Sequence, residues 1–236
     1  MHMDHSITEA IILVGGLGTR LKSVVSELPK PMADVAGRPF LAYLLDYCKE
    51  QNIRRVVLCA GYKHETIEDY FGHFYKGIEL VYSIEDEPLG TGGALRKGME
   101  LLNSPVVLFL NGDSICKVSI CEMANVYRKN QADMVLAIKK TYNFDRYGTV
   151  VLQEHQNRII KFEEKKPLIE GFINVGVTII NPEIIKKLAP SQKFSFEKNI
   201  LETHTNSLKL FAFETQEYFV DIGVPEDYML AQTTLS

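Results

Sequence analysis

Ala10-Ile11-Ile12-Leu13-Val14-Gly15-Gly16-Leu17-Gly18-Thr19-Arg20-Leu21 decides how this chain folds. Short apolar runs rich in Val, Ile and Leu are typical of strands buried on both faces of a sheet. The run stops at Gly15, Gly16 and Gly18, with Lys30-Pro31-Met32 close behind. Glycine can turn with φ > 0 and bring backbone N–H groups close to a ligand. A strand that ends in a glycine loop followed by cationic side chains has the chemistry of a polyphosphate cradle.

The surrounding pattern predicts what that strand belongs to. Further strand-like runs cover 54–59, 78–83 and 105–110. Helical stripes fall between them, one on Phe40, Leu41, Leu44, Leu45 and Cys48, another on Ile67, Tyr70, Phe71 and Phe74. Ser119 with Glu122 reads as a capping box for a helix through about Lys129. Alternation of this kind predicts an α/β fold with a doubly wound, mostly parallel, Rossmann-like sheet. Past Met134–Ile138 the pattern becomes β-rich. Thr149–Gln153 and Ile159–Glu163 flank a hairpin turn, and Phe172–Ile180 is a long β-branched run. Asn181-Pro182-Glu183 then opens a helix. The reading is one domain over 1–236 in two halves, about 8–139 and about 140–236, the second carrying a small β-rich insertion along one edge of the sheet.

Composition narrows the function classes. The chain has 236 residues, 46% hydrophobic and 24% charged, with a net charge of −4. No basic run suggests nucleic acid as a partner, and no apolar stretch is long enough for a membrane span. Cys48, Cys59, Cys116 and Cys121 form no C-x-x-C pair. Reduced structural thiols in a cytoplasmic protein are expected.

Several phosphate motifs fail. The P-loop spacing G-x-x-x-x-G-K-[ST] is not met. A dinucleotide fingerprint would need a third glycine where Leu21 stands. Gly15–Leu21 with Lys30-Pro31 instead resembles the sugar-1-phosphate nucleotidylyltransferases. The likeness continues in order through Pro88-Leu89-Gly90-Thr91-Gly92-Gly93-Ala94, Asn111-Gly112-Asp113, Tyr147-Gly148, Phe162–Lys165, Ile173-Asn174-Val175-Gly176 and Phe219–Gly223.

The resemblance implies a reaction that joins a nucleoside triphosphate to a sugar 1-phosphate and releases pyrophosphate, with a nucleotide-binding half over about 8–139 and a sugar-phosphate-binding half over about 140–236. It implies catalytic roles for Arg20, Lys30 and Asp113, and Mg²⁺ on Asp113 and Asp221. Nucleotide contacts fall on Leu13, Gly15, Gly16, Gly18, Thr19, Arg20, Glu85, Gly90 and Thr91. Sugar-phosphate contacts fall on Gly148, Glu164, Lys165 and Asn174, with Lys166 a rival to Lys165. Carboxylates at strand ends face the ligand crevice of an α/β sheet, and Mg²⁺ takes one or two of them with phosphate oxygens. The resemblance sets Glu85 against the base. A carboxylate accepts from the adjacent N1–H and N2–H₂ donors of guanine, whereas uracil and thymine offer acceptors that repel it. GTP is therefore the expected nucleotide.

The second half, through Tyr147–Val150, Gly171–Asn174 and Lys193–Glu197, most resembles the guanylyltransferase branch acting on D-glycero-α-D-manno-heptose 1-phosphate. Mannose 1-phosphate as substrate, and a uridylyltransferase, remain as alternatives. So does a catalytically silent nucleotide-sugar sensor. A glycosyltransferase with a similar sheet would usually carry D-x-D where Asn111-Gly112-Asp113 stands. A homo-oligomer stays open.

Overall fold

In the computed structural model, which describes residues 6–16, 28–163, 165 and 167–235, the opening apolar run is strand β1 (Glu9–Leu13). A 3-10 turn (Lys30–Met32) and a ribbon of β2 (Asp34–Val35) and β3 (Arg38–Pro39) lead into helix α1 (Phe40–Glu50). Then come β4 (Arg55–Ala60), α2 (His64–Phe71), β5 (Phe74–Tyr75), β6 (Ile78–Ile84), α3 (Gly90–Met99) and β7 (Val107–Asn111). The second half runs β8 (Ser114–Cys116), α4 (Ile120–Lys129), β9 (Met134–Phe144), β10 (Thr149–Leu152), β11 (Ile159–Glu163), β12 (Leu168–Ile180) and α5 (Pro182–Leu188). A π-helical segment (Glu197–Glu202), β13 (Leu210–Glu214), β14 (Phe219–Asp221) and α6 (Pro225–Thr234) complete it.

The strands β7, β1, β4 and β6 lie side by side and parallel, as the alternation predicts. Successive side chains of a strand point to opposite faces. Ala10 and Ile12 accordingly share a buried cluster with Phe40, Leu41 and Leu44 of α1. Ile11 joins Leu95 and Met99 of α3. Fully burying one such side chain is worth about 1.5–3 kcal/mol, so both faces hold the helices that wind around the sheet.

The local signals read from the sequence operate as expected at two helices. Ser119 Oγ accepts the Glu122 N–H at 3.3 Å ahead of α4. Asn181 Oδ1 accepts the Glu183 N–H at 3.0 Å ahead of α5. One stripe breaks early. Gly72 ends α2 with φ of 61°, and Phe74 sits on edge strand β5 instead of on the helix.

The β-rich segment covers the β7 edge by pairing with it. Val177–Ile180 of β12 runs antiparallel to β7, while the first half of β12 pairs with β10. Strand β9 follows β12 along its other side. The register slips between Asn174 and Thr178, a bulge containing Gly176 at φ of 78°. Bulges bend a strand and re-aim its side chains. This one turns β12 from the central sheet into the hairpin lobe, and the crevice opens beside it.

Candidate active site

The carboxyl ends of β1 and β7 open into a cavity of about 610 Å³. Its lining gathers Leu13, Gly16, Lys30, Gly90, Thr91 and Asp113 from the first half, and Gly148, Lys165, Asn174 and Asp221 from the second. Open α/β sheets bind ligands outside the carboxyl ends of their strands, where this cavity lies.

Charge concentrates at its floor. Lys30 Nζ donates to Asp113 Oδ2 at 2.6 Å and lies 3.7 Å from Asp221 Oδ1. The lysine side chain is 8% exposed, so this cation is held in place by its partners. Two aspartates distant in sequence meet because β8 and β14 pair antiparallel, with Asp221 opposite Ser114. The Ile222 N–H also donates to the Asp113 carbonyl at 2.9 Å. Gly223 N–H donates to Asp221 Oδ1 at 2.7 Å. Burial and the neighbouring charge of Asp113 push the Asp221 carboxyl above its ordinary range, against the opposing pull of Lys30.

The triphosphate side of the motif begins where β1 ends. Gly15 lies against the backbone of Gly61: an added Cβ would stand 3.2 Å from the Gly61 nitrogen. Gly16 is exposed at the mouth. Gly18, Thr19 and Arg20 lie outside the described residues.

Glu85 follows β6 and is half-buried, with Oε2 accepting the Leu89 N–H at 2.9 Å. Burial raises its carboxyl above the ordinary range, partly offset by that hydrogen bond and by Lys97. Glu85 is not among the residues that line the cavity.

Beyond it, the glycines of Gly90-Thr91-Gly92-Gly93 make room for a strap of this chain. Gly90 has φ of 72°, and a Cβ there would meet the Phe194 carbonyl oxygen at 2.6 Å. That carbonyl accepts the Gly92 N–H at 2.9 Å, capping the start of α3. Thr91 Oγ1 donates to Glu197 Oε2 at 2.7 Å and accepts the Phe196 N–H at 2.9 Å. Lys193, Phe194, Ser195 and Glu197 of the strap then form one wall of the cavity.

The sugar side is built around the β12 bulge. Asn174 N–H donates to the Gly148 carbonyl at 2.9 Å, and Asn174 Oδ1 accepts the Gly176 N–H at 3.1 Å. Lys165 is exposed at the rim. Glu164 and Lys166 lie outside the described residues. Arg146 also lines the cavity, with NH2 donating to Asp227 Oδ2 and to the Tyr147 hydroxyl.

With this geometry in place, comparison with known proteins is decisive. The family model described as nucleotidyl transferase matches residues 9–236. The chain belongs to the nucleotidyl transferase family. It is 48% identical to the D-glycero-alpha-D-manno-heptose 1-phosphate guanylyltransferase of Aneurinibacillus thermoaerophilus, over 96% of this chain and 98% of that one. Against the enzyme of the same name from Campylobacter jejuni it is 43% identical, over 93% and 96%. The crystal structure of HddC from Yersinia pseudotuberculosis complexed with GMP-PN aligns with a TM-score of 0.85 at 33% identity, covering 98% of this chain and 100% of that one.

As a nucleotidyl transferase the chain is an enzyme, and its donor set can be tested against the divalent ion expected of it. Asp113 and Asp221 offer hard carboxylate oxygens at one point. Among the described residues no group of three or more His, Cys, Asp and Glu side chains could hold a metal. An all-protein metal cage is not offered there. Two carboxylates completed by substrate phosphates and water is the arrangement that suits Mg²⁺, and the residues fit it.

Arg146 and Lys193 were not singled out as site residues in the sequence. Lys193 falls within a segment that carries the family likeness, which was the only available signal. Arg146 adjoins the Tyr147-Gly148 motif, yet nothing in its spacing connects it to Asp227.

Proposed function

We propose that this protein transfers GMP from GTP to D-glycero-α-D-manno-heptose 1-phosphate, releasing GDP-heptose and pyrophosphate. The carrying observation is the meeting of Lys30, Asp113 and Asp221 with Gly148, Lys165 and Asn174 around one cavity, in a chain so similar to heptose 1-phosphate guanylyltransferases.

The nucleophile is a phosphate monoester whose second pKa is near ~6, so at pH 7 it is already mostly anionic. No general base is required. The work is to bring two anions together and to stabilise the charge that develops in an in-line displacement. Lys30 sits 2.6 Å from Asp113 at the junction of the two halves, placed to move onto a phosphate oxygen when substrates arrive. Arg20 grips the triphosphate through its planar fork, with Gly15, Gly16, Gly18 and Thr19 supplying the loop and Leu13 its base. Asp113 and Asp221 would hold Mg²⁺, which when bound would neutralise phosphate charge. Gly90 and Thr91 border the nucleotide.

Glu85 reads guanine. Each carboxylate oxygen has two acceptor sites, so the bond from Leu89 leaves capacity for N1–H and N2–H₂. Gly148, Glu164, Lys165 and Asn174 hold the sugar phosphate, the lysine as a point charge on the phosphate and the others by hydrogen bonds with the hydroxyls of the sugar. The setting proposed is cytoplasmic; among the described residues no helix is long and apolar enough to cross a membrane.

Pyrophosphate release measured for GTP, UTP, ATP and CTP against heptose, mannose and glucose 1-phosphates tests the proposal. Highest kcat/KM with GTP and the heptose is expected. Turnover with UTP but not GTP removes the role given to Glu85. Mannose 1-phosphate as the best acceptor changes the sugar, and no turnover with any pair returns the sensor reading.

A further inference from the structure

Arg146 has no part in the reaction as derived above, yet two nitrogens of its guanidinium, Nε and NH2, are already engaged. It donates to Asp227 Oδ2 in the first turn of α6, and Nε and NH2 reach the Tyr147 hydroxyl at 3.2 and 3.0 Å. The Tyr147 ring meets Phe219 of β14 edge-on, with centroids 5.5 Å apart. Phe219 and Asp227 flank Asp221 in the sequence. The segment that carries Asp221 is therefore gripped before and after that residue by the dipeptide Arg146-Tyr147. The next residue, Gly148, holds the Asn174 N–H on its carbonyl at 2.9 Å.

We propose that Arg146 is a positioning residue that clamps the Asp221 segment to the sugar-phosphate loop, so that the metal-binding carboxylate and the sugar wall are set as one unit. A bidentate grip on phosphate through Nε and NH2 would require the guanidinium to leave Asp227 and the Tyr147 hydroxyl. The pair with Asp227 is partly buried, at 30% and 21% exposure, and charge-assisted bonds of this kind are the strong ones. Residues that orient metal ligands from behind typically change metal affinity or activity by about 10–100-fold when lost.

The inference rests on the guanylyl-transfer reading, and the two fail differently. A wild-type protein without turnover overturns that reading, whereas the clamp is judged against an active wild type. Arg146→Gln, Asp227→Asn, the double variant and Asp227→Glu are compared with wild type. The readouts are kcat, KM for each substrate, Mn²⁺ affinity by electron paramagnetic resonance with GTP present, and thermal melting to confirm folding.

The clamp predicts that each neutralising variant loses about tenfold or more in both kcat and Mn²⁺ affinity. KM for GTP stays within about twofold. The double variant is no worse than either single one, because both remove the same contact. Asp227→Glu recovers most of the loss. The proposal is overturned if Asp227→Asn keeps wild-type kcat and Mn²⁺ affinity while Arg146→Gln raises KM for the sugar 1-phosphate, since Arg146 then binds phosphate itself. Losses that only track the folded fraction overturn it as well.

Discussion

Asp221 carries opposing demands. Its carboxyl titrates above the ordinary range because burial and the charge of Asp113 outweigh Lys30. Between the unfolded and the folded pKa the folded chain therefore holds a proton that the unfolded chain releases. Such a group contributes nothing where both states are protonated, and it destabilises the fold increasingly as pH rises from the unfolded pKa through the folded one. Asp221→Asn is expected to melt higher than wild type at pH 7 without metal, by ~2–4 °C for each kcal/mol regained in a chain of this size. The gain should fade in strongly acidic solution. On the proposed role of Asp221 in holding Mg²⁺, the same variant should lose roughly a hundredfold or more in kcat/KM, since such an ion would supply several kcal/mol of charge stabilisation. Melting curves across pH, set beside pyrophosphate release, check both halves. A lower melting temperature at pH 7 would mean that attraction to Lys30 governs the site instead. That Asp113 would stand beside the crevice was legible because a carboxylate at a strand end is a recognisable position, whereas Asp221 reaches the same cavity through the separate β8–β14 ribbon. The link from Arg146 to Asp227 was not legible, because a tertiary ion pair leaves no periodic trace.

At the scale of elements, β12 is the part both halves share. Its bulge puts Gly176 at φ of 78°, with a Cβ position 2.8 Å from Asn111 Nδ2 and 2.8 Å from Ser114 Oγ. Gly176→Ala combines a left-handed backbone, costing about 1–3 kcal/mol for a residue with a side chain, with pressure on the strand ends on either side of Asp113. Denaturant unfolding should show a loss of that order, and kcat/KM should fall by more than the lost folded fraction explains. The strap over α3 gives a second case. Thr91→Val removes two hydrogen bonds, to Glu197 and from Phe196, each worth about 0.5–1.5 kcal/mol net. A loosened wall of Phe194, Ser195 and Glu197 should raise KM and speed proteolytic cleavage near Lys193. Equal KM values and equal cleavage would show that the strap is held elsewhere. The strand runs and the caps at Ser119 and Asn181 were readable because their causes are local. The pattern Gly90-Thr91-Gly92-Gly93 was readable only as a motif, because the strap it accommodates lies far along the chain.

Across the whole molecule, chemistry and stability occupy opposite ends of the sheet. The carboxyl end of β7 leads to Asp113, which the separate β8–β14 ribbon joins to the like-charged Asp221, while the amino end of β1 holds Glu9 in a fully partnered knot. Its Oε1 accepts from Arg55 at 2.8 Å, and its Oε2 accepts the N–H groups of Asn103 at 2.9 Å and Ser104 at 2.5 Å. These contacts tie β1 to β4 and to the turn that leads into β7. Burial alone would raise the Glu9 carboxyl, but the bonds from Ser104, Arg55 and Asn103 together bring it below its ordinary range. A depressed carboxylate stabilises the fold above its unfolded pKa, and that contribution is lost as pH falls through the folded value. Glu9→Gln leaves Arg55 without its buried counter-charge and turns an amide toward donors. A charged hydrogen bond of this kind is worth about 1.5–3 kcal/mol, so the variant should melt several degrees lower at pH 7 and converge with wild type in acid. Its kcat and KM per folded molecule should be unchanged, because Glu9 lies at the end of β1 away from the cavity. Equal melting temperatures at pH 7 would refute the knot, and a changed KM at full folding would show that the two ends of the sheet are coupled.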